Sequence, residues 1–263
     1  MTKNSFYILL IISVLFTSCI PVKDLVYLQD KNPSGEQNTV AAVESKPYRL
    51  QVNDVISVDI KAIDPKLVTI FNKTEIVSTG GKSESALYFD GFTVDDHGNI
   101  RMPILGELNV IGYTLEEVRV IIEKKLLEEY FKSEANIFVT VKLAGFRYTI
   151  NGEVGSKGTK TLFQNHVNIM EAIANAGDIT TVGNRKEVTI IRQTPTGVLM
   201  NDIDLTDANV MKSPYYYLQP NDYIYVKPLK QKTWGTGETG IQSVGTIITL
   251  LSLATTVYLL LKN

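Results

Sequence analysis

The residues able to do chemistry in this chain are scattered. Its two histidines, His97 and His166, fall in a hairpin turn and a pre-helix loop, with no cysteine or spaced carboxylates beside them. A zinc site needs several such ligands together, so none is expected. Neither a Gly-x-Ser-x-Gly elbow nor a P-loop occurs, which removes the commonest serine-hydrolase and nucleotide signatures. The glycine-rich stretch 152–158 carries Lys157 and is conceivable as an anion cradle, but it lacks Gly-Lys-Ser/Thr and reads as a plain turn. Glu116, Glu117, Glu123, Glu128 and Glu129, with Lys124, Lys125 and Lys132, read as a solvated helix face. A glycosidase pair of carboxylates is not visible in a sequence. Tyr215, Tyr216, Tyr217, Tyr223 and Tyr225 would either stack on sugars or pack a strand and an interface, and packing is the expected role. No catalytic residue, cofactor or metal is expected.

The single cysteine has a different chemistry. Residues 1–18 open with Lys3 and an apolar core at 6–16, too short to span hydrocarbon, and end in Thr17-Ser18 before Cys19. Small residues ahead of a cysteine suit lipoprotein processing: the Cys19 thiol is diacylated and cleavage leaves it as the first residue. One cysteine gives no disulfide framework, and a free thiol would be out of place in an oxidising compartment. Several acyl chains on Cys19 would anchor firmly.

At the other end, 241–261 contains no Asp, Glu, Lys or Arg. As a helix it would be about 31 Å long, enough to cross a membrane. Lys262 follows it, Trp234 precedes it as an interfacial anchor, and Gly235, Gly237 and Gly240 make a flexible lead-in. Gln242, Thr246, Thr249, Ser252 and Thr256 fall within about 120° of one another on a helical wheel. Ile247, Ile248, Leu251, Tyr258 and Leu259 lie opposite, while Leu253 and Leu260 interrupt the polar stripe. Three roles stay open: an anchor whose hydroxyls bond to their own backbone, packing in a bundle, or a ring of helices with the stripe inward around a pore. The last requires an oligomer, since one helix encloses nothing.

These ends must be joined by a folded body. The formal net charge is −2, with no basic cluster, so nucleic acid is not an expected partner. An apolar fraction of 44% is ordinary for a globular chain. The stretch 31–46 reads as a tether. A turn and strand follow at 48–60, then a hairpin at 89–108 with Asp95-Asp96-His97-Gly98 at its turn. The clearest helix is 114–130, where Thr114 and Glu117 form a capping box and Leu115, Val118, Ile121, Ile122 and Leu126 the apolar stripe. A strand at 135–143 completes an α+β unit. Strands at 146–150, 187–192, 198–204 and 216–226 around a short helix at 168–176, with Gly177 after it, suggest a β-grasp-like second unit. Tyr48-Arg49-Leu50-Gln51-Val52-Asn53-Asp54-Val55-Ile56-Ser57-Val58 matches Tyr216-Tyr217-Leu218-Gln219-Pro220-Asn221-Asp222-Tyr223-Ile224-Tyr225-Val226 at seven of eleven positions. Asn and Asp suit a tight turn that launches a strand, so related structural roles are expected for Asp54 and Asp222, not a shared active site.

The ordered set of motifs resembles the Wza-like outer-membrane polysaccharide export lipoproteins. The lipobox ends at Cys19, and 48–58 is similar to the opening of the polysaccharide export domain. Asp96-His97-Gly98-Asn99-Ile100-Arg101-Met102-Pro103-Ile104-Leu105-Gly106 resembles its D-x-G-x-I-x-x-P-x-x-G hairpin, and Gly112-Tyr113-Thr114-Leu115-Glu116-Glu117 its helix start. Gly152-Glu153-Val154 with Glu171-Ala172-Ile173-Ala174-Asn175-Ala176-Gly177 resembles the β-grasp SLBB domain, although Lys157-Gly158 stands where Pro-Gly is usual and the chain is expected to hold one such domain where larger members carry more.

The resemblance implies a signal peptide (1–18), a lipidated tether (19–46), a polysaccharide export domain (47–145), an SLBB domain (146–230), a linker (231–240) and a transmembrane helix (241–261). It implies a homo-oligomeric ring, an octamer in the best-known member, whose C-terminal helices form a barrel through the outer membrane. Cys19 would carry the lipid, and Gln242, Thr246, Thr249, Ser252 and Thr256 would line the pore. Capsular or extracellular polysaccharide would pass without hydrolysis or cofactor. The implied partner is an inner-membrane polysaccharide co-polymerase, often linked to a tyrosine kinase. The alternative from another class is a doubly anchored periplasmic scaffold lipoprotein that binds a glycan or a partner and has no pore; a glycan-modifying enzyme has no motif behind it.

Overall fold

The computed structural model describes residues 20–31, 46–64, 66, 68–71, 90–131, 136–194, 196–230 and 232, together with 245, 248, 249, 251–253 and 255. The signal peptide, Cys19, most of the linker and most of 241–261 lie outside the described residues, Gln242, Thr246 and Thr256 among them. The chain divides into two compact units, both combining sheet and helix in the expected α+β manner. The first comprises Glu44–Arg147 with Thr161–Val167, and the second Met1–Val43, Tyr148–Lys160 and Asn168–Asn263.

In the first unit, β1 (Val55–Lys61) is the middle strand, antiparallel to β2 (Phe92–Thr93) and to β5 (Phe138–Leu143). The alternation read in the sequence places Ile56 and Ile60 in the core. Helix α1 (Leu115–Glu129) packs on β5 through Val118, Ile122 and Leu126. Its N-terminus carries the anticipated capping box: Glu117 N–H donates to Thr114 Oγ1 at 3.2 Å, and Thr114 N–H to Glu117 Oε2 at 2.7 Å.

The expected hairpin is shifted by one turn. Asp95–Gly98 is a turn, but the strands beside it do not pair with each other; β2 pairs with β1 instead. The paired hairpin is β3 (Asn99–Met102) with β4 (Gly106–Asn109), closed by Pro103, Ile104 and Leu105. Ile104 there takes a φ of 69° and Leu105 N–H donates back to the Pro103 carbonyl. Asp95 does form a turn, accepting from the His97 and Asn99 N–H groups, but β2 is taken up by β1, so the ladder closes at the Pro103 reversal instead.

The second unit is built on a mixed sheet ordered β7-β6-β10-β8-β9. These strands are β6 (Phe146–Gly152), β7 (Gly158–Leu162), β8 (Gly183–Thr194), β9 (Gly197–Ile203) and β10 (Tyr223–Pro228). β10 is parallel to β6 and antiparallel to β8. The strand β7 was not anticipated, since Gly158–Leu162 lacks an apolar alternation. Helix α2 (Ile169–Asn175) buries Ile169, Ala172 and Ile173. It ends as expected on Gly177, at φ 76°, with Gly177 N–H bonded to Ala174 O and Asp178 N–H to Ile173 O. Gly152 is required at the end of β6: its φ is 96°, and a Cβ there would stand 2.0 Å from the Val226 carbonyl oxygen.

Truncation of the fully buried Ile122 to alanine is expected to cost about 2–5 kcal/mol. Val120→Ala, on the exposed face of the same helix, should stay within about 0.5 kcal/mol. Urea unfolding of both variants checks this, and equal losses would contradict the orientation of α1.

Candidate functional site

The repeated segment builds the same turn twice. Asn53 and Asn221 adopt φ of 70° and 68°. Asp54 and Asp222 each accept the N–H of the residue three back, Gln51 or Gln219, at 2.8 Å. Asp54 N–H and Asp222 N–H return to the Gln51 and Gln219 carbonyls. β1 and β10 start at the next residue. The structural role read from the repeat is therefore present in both units, and both carboxylates are committed to it. Asp54 also accepts from Tyr48 Oη at 2.7 Å. Asp222 is gripped by Arg192, Nε to Oδ1 at 2.9 Å and Nη2 to Oδ2 at 2.7 Å, both side chains buried. Burial pushes the Asp222 carboxyl up, against the downward pull of Arg192 and of the Gln219 N–H.

The remaining chemical candidates are placed as follows. Among the described residues no group of His, Cys, Asp and Glu is arranged to hold a metal. His97 is exposed in its turn and His166 on the 161–167 segment. The 152–158 loop turns its amides inward: Gly155 N–H donates to Asp178 O and Ser156 N–H to Ala176 O, so these donors do not face an anion. The acidic face of α1 is laced by Arg119 to Glu116 and Glu123, and by Lys124 to Glu128. Of the tyrosines, Tyr216 meets Tyr217 edge to face at 5.3 Å, and the Arg192 guanidinium lies 5.1 Å from the Tyr215 ring. Tyr223 Oη accepts from Asn151 Nδ2 at 3.2 Å. These contacts are packing.

The notable cluster lies at one end of the second sheet, where sequence reading expected a free tether. Ile20 to Lys31 forms a strap on the second unit. A 3-10 turn at Val22–Asp24 leads to Leu28 and Gln29, whose N–H groups donate to Leu205 O at 3.0 Å and Thr206 O at 2.7 Å. Ala208 N–H returns to Gln29 O at 3.1 Å. Tyr27 donates to Asp178 Oδ1 and lays its ring 5.1 Å from the guanidinium of buried Arg185. Burial, then the Asp178 bond, push the Tyr27 hydroxyl up to about 12. Arg185 also donates to Ile179 O at 2.7 Å and Thr180 O at 3.2 Å. Lys186 pairs with Asp24, and Lys31 with Asp204 at 2.6 Å. Burial pushes Asp204 up, but hydrogen bonds from Lys31 and Thr206 outweigh it and hold the carboxyl below its ordinary value.

Residues 229–232 lie beside the 178–182 loop. Leu229 N–H donates to Val182 O at 2.8 Å. Lys232 Nζ donates to Glu153 Oε1 at 2.6 Å, and Thr180 Oγ1 to Glu153 Oε2 at 3.1 Å, which hold the Glu153 carboxyl below its ordinary value. Among the described residues no helix is long and apolar enough to cross a membrane. Of the expected pore-lining set, Thr249 and Ser252 are described, helical and exposed. Thr249 Oγ1 donates to Gly245 O at 2.7 Å and Ser252 Oγ to Thr249 O at 2.8 Å, the back-bonding of the plain-anchor reading.

Sequence reading missed the strap, Arg185 and Arg192. Leu25, Val26, Tyr27 and Leu28 were the available signal, an apolar run unsuited to a tether. Arg192 gave none, since its partner lies 30 residues away.

Residues 42–143 match the family model described as polysaccharide biosynthesis/export protein. The chain is 27% identical over 159 residues to the EPS I polysaccharide export outer membrane protein EpsA of Ralstonia nicotianae (strain ATCC BAA-1114 / GMI1000), covering 57% of this chain and 39% of that protein. It is 25% identical over 213 residues to the protein of the same description from Ralstonia solanacearum, covering 74% of this chain and 52% of that one. The matches thus span about two fifths to half the length of these relatives.

Two predictions follow the geometry of the turns and the strap. Asp222→Asn leaves the buried Arg192 without a counter-charge and should cost about 3–5 kcal/mol. Asp54→Asn, which loses only hydrogen-bond acceptance, should cost about 1–3 kcal/mol; denaturant unfolding ranks the pair, and the reverse order would refute the assignment. The depressed Asp204 value makes strap docking fully supported above the ordinary carboxylate range and weaker as pH falls through the folded value. Hydrogen-exchange protection factors at Leu28 and Gln29 should hold from neutrality to about pH 4 and drop below it. A loss centred between pH 8 and 6 would assign the support to another group.

Proposed function

We infer, for a chain whose residues 42–143 match the polysaccharide biosynthesis/export family model, that this protein is an outer-membrane lipoprotein assembling into a ring that exports capsular or extracellular polysaccharide. The supporting observation is that the matched segment, 42–143, nearly coincides with Glu44–Arg147, the main stretch of the first compact unit. The two relatives are named as polysaccharide export outer membrane proteins, which supports both the cargo class and the membrane. In this reading Cys19 carries the lipid, the second unit is an SLBB domain, and 241–261 spans the membrane as one stave of a helical barrel. The partner is an inner-membrane polysaccharide co-polymerase, and the polymer moves without bond cleavage here.

The polar stripe suits sliding sugar. A serine or threonine hydroxyl whose proton is spent on its own helix still offers acceptor lone pairs, so Thr249 and Ser252 would meet sugar hydroxyls as neutral acceptors rather than as charge traps. The same back-bonding favours the second reading, a doubly anchored scaffold without a pore, because it lets a hydroxyl-bearing helix sit in lipid alone.

The native mass of the full-length acylated protein in mild detergent separates the two, measured beside a chain ending at Lys232. A discrete ring that weakens or disappears on truncation is expected. A monomer in both samples would remove the channel, and unimpaired polysaccharide export by cells carrying the truncated chain would do so equally.

A further inference from the structure

The second unit has two distinct ends, and the strand directions define them. β8 starts at Gly183 and runs twelve residues to Thr194, so its ends are about 36 Å apart. β10 pairs antiparallel with β8, which puts Pro228 opposite Gly183. β6 runs parallel to β10, with Gly152 opposite Val226. The ends of β6 and β10 therefore share the Gly183 end, and the β8–β9 turn at Thr194–Gly197 lies at the other.

Everything that leads out of the unit toward an anchor is fastened at the Gly183 end. The strap binds Leu205, Thr206, Asp178, Arg185 and Lys186. The exit segment binds Val182 and, through Lys232, Glu153. One loop, 178–182, is held from both sides, by Tyr27 on Asp178 and by Leu229 on Val182. The strap begins at Ile20, one Cα step of about 3.8 Å from Cys19. With the strap free, the chain from Cys19 to Lys46 would instead allow about 90 Å of reach. The strap also presents Val22 and Val26 to solvent, 74% and 46% exposed, next to an exposed Lys23. Exposed apolar side chains beside a lysine suit the boundary between acyl chains and phosphate headgroups.

We propose that the 178–182 loop, with the docked strap, is the face of the second unit that rests on the phospholipid headgroups. The strap turns a long lipid tether into a short rigid one, and the Tyr27 ring over Arg185 pins it beside the loop. This rests on acylation of Cys19 and on the membrane role given to 241–261. It adds to that reading a defined lipid-facing surface and an orientation of the sheet, with the Thr194–Gly197 turn pointing away from the bilayer.

The test uses the full chain, acylated and reconstituted into vesicles of phosphatidylethanolamine and phosphatidylglycerol doped with a headgroup nitroxide lipid. Acylation consumes the only native thiol, so a fluorophore can be placed singly through Thr181→Cys, Lys157→Cys or Val198→Cys. All three positions are exposed; the first two lie at the Gly183 end and Val198 beside the far turn. Quenching at Thr181 and Lys157, with little at Val198, is the expected result. Equal quenching at all three, or quenching at Val198 alone, in protein whose mass shows acylation would overturn the surface and leave the export reading intact. A mass showing unmodified Cys19 would overturn the lipoprotein reading and the surface with it.

Discussion

Both units depend on one backbone device, the Leu-Gln-x-Asn-Asp turn. An asparagine in the left-handed region reverses the chain, and the next aspartate captures the amide three residues back. The strand it launches is in each case an inner strand: β1 between β2 and β5, β10 between β6 and β8. An inner strand pairs on both sides, so a slip of one residue would turn its own apolar side chains to the wrong face and break two ladders at once. The Ile56 and Ile60 pair and the Ile224 and Val226 pair are buried because these two turns set where their strands begin.

The copies differ in how they pay for a buried carboxylate. Asp54 is satisfied by Tyr48 and local amides, a neutral arrangement close in sequence. Asp222 takes a buried guanidinium from β8, and Arg192 also donates to the Tyr217 carbonyl at 3.2 Å. That pair ties the turn to the neighbouring strand and to the tyrosine segment before it. A buried ion pair gains little net stability over an apolar substitute, but it penalises any register that separates the charges. The second unit, with a parallel neighbour to align over a long crossover, has the greater need of such a constraint.

What was legible in the sequence was local. The capping box at Thr114 and Glu117, the glycine stop at Gly177 and the repeated turn are decided within a few residues, and each is present as read. The hairpin was displaced because two adjacent turn signals compete, and long-range pairing of β2 with β1 chooses between them. β7 escaped because an edge strand needs few apolar residues. The strap escaped because 20–31 docks on residues far along the chain, from Tyr27 on Asp178, 151 positions on, to Lys31 on Asp204, 173 positions on. Arg192 is a buried cation whose carboxylate partner lies 30 residues on, and the Tyr27 ring that meets buried Arg185 comes from the strap, so no local pattern announces either contact.

The placement of the exit segment bears on what a moving polymer would do to this molecule. Four residue pairs link β10 to β6 on one side, and the β8 ladder holds it on the other. Load drawn along the chain from Lys232 therefore meets β10 in shear, where the ladder bonds of both sides must yield together. An edge strand such as β9 would peel one bond at a time. The clamp of Lys232 on Glu153, braced by Thr180, takes up the first part of that load before it reaches the ladder. The strap is fastened at the same end through Leu205 and Arg185. Within the second unit, the inner position of β10 supplies the resistance to load drawn from Lys232.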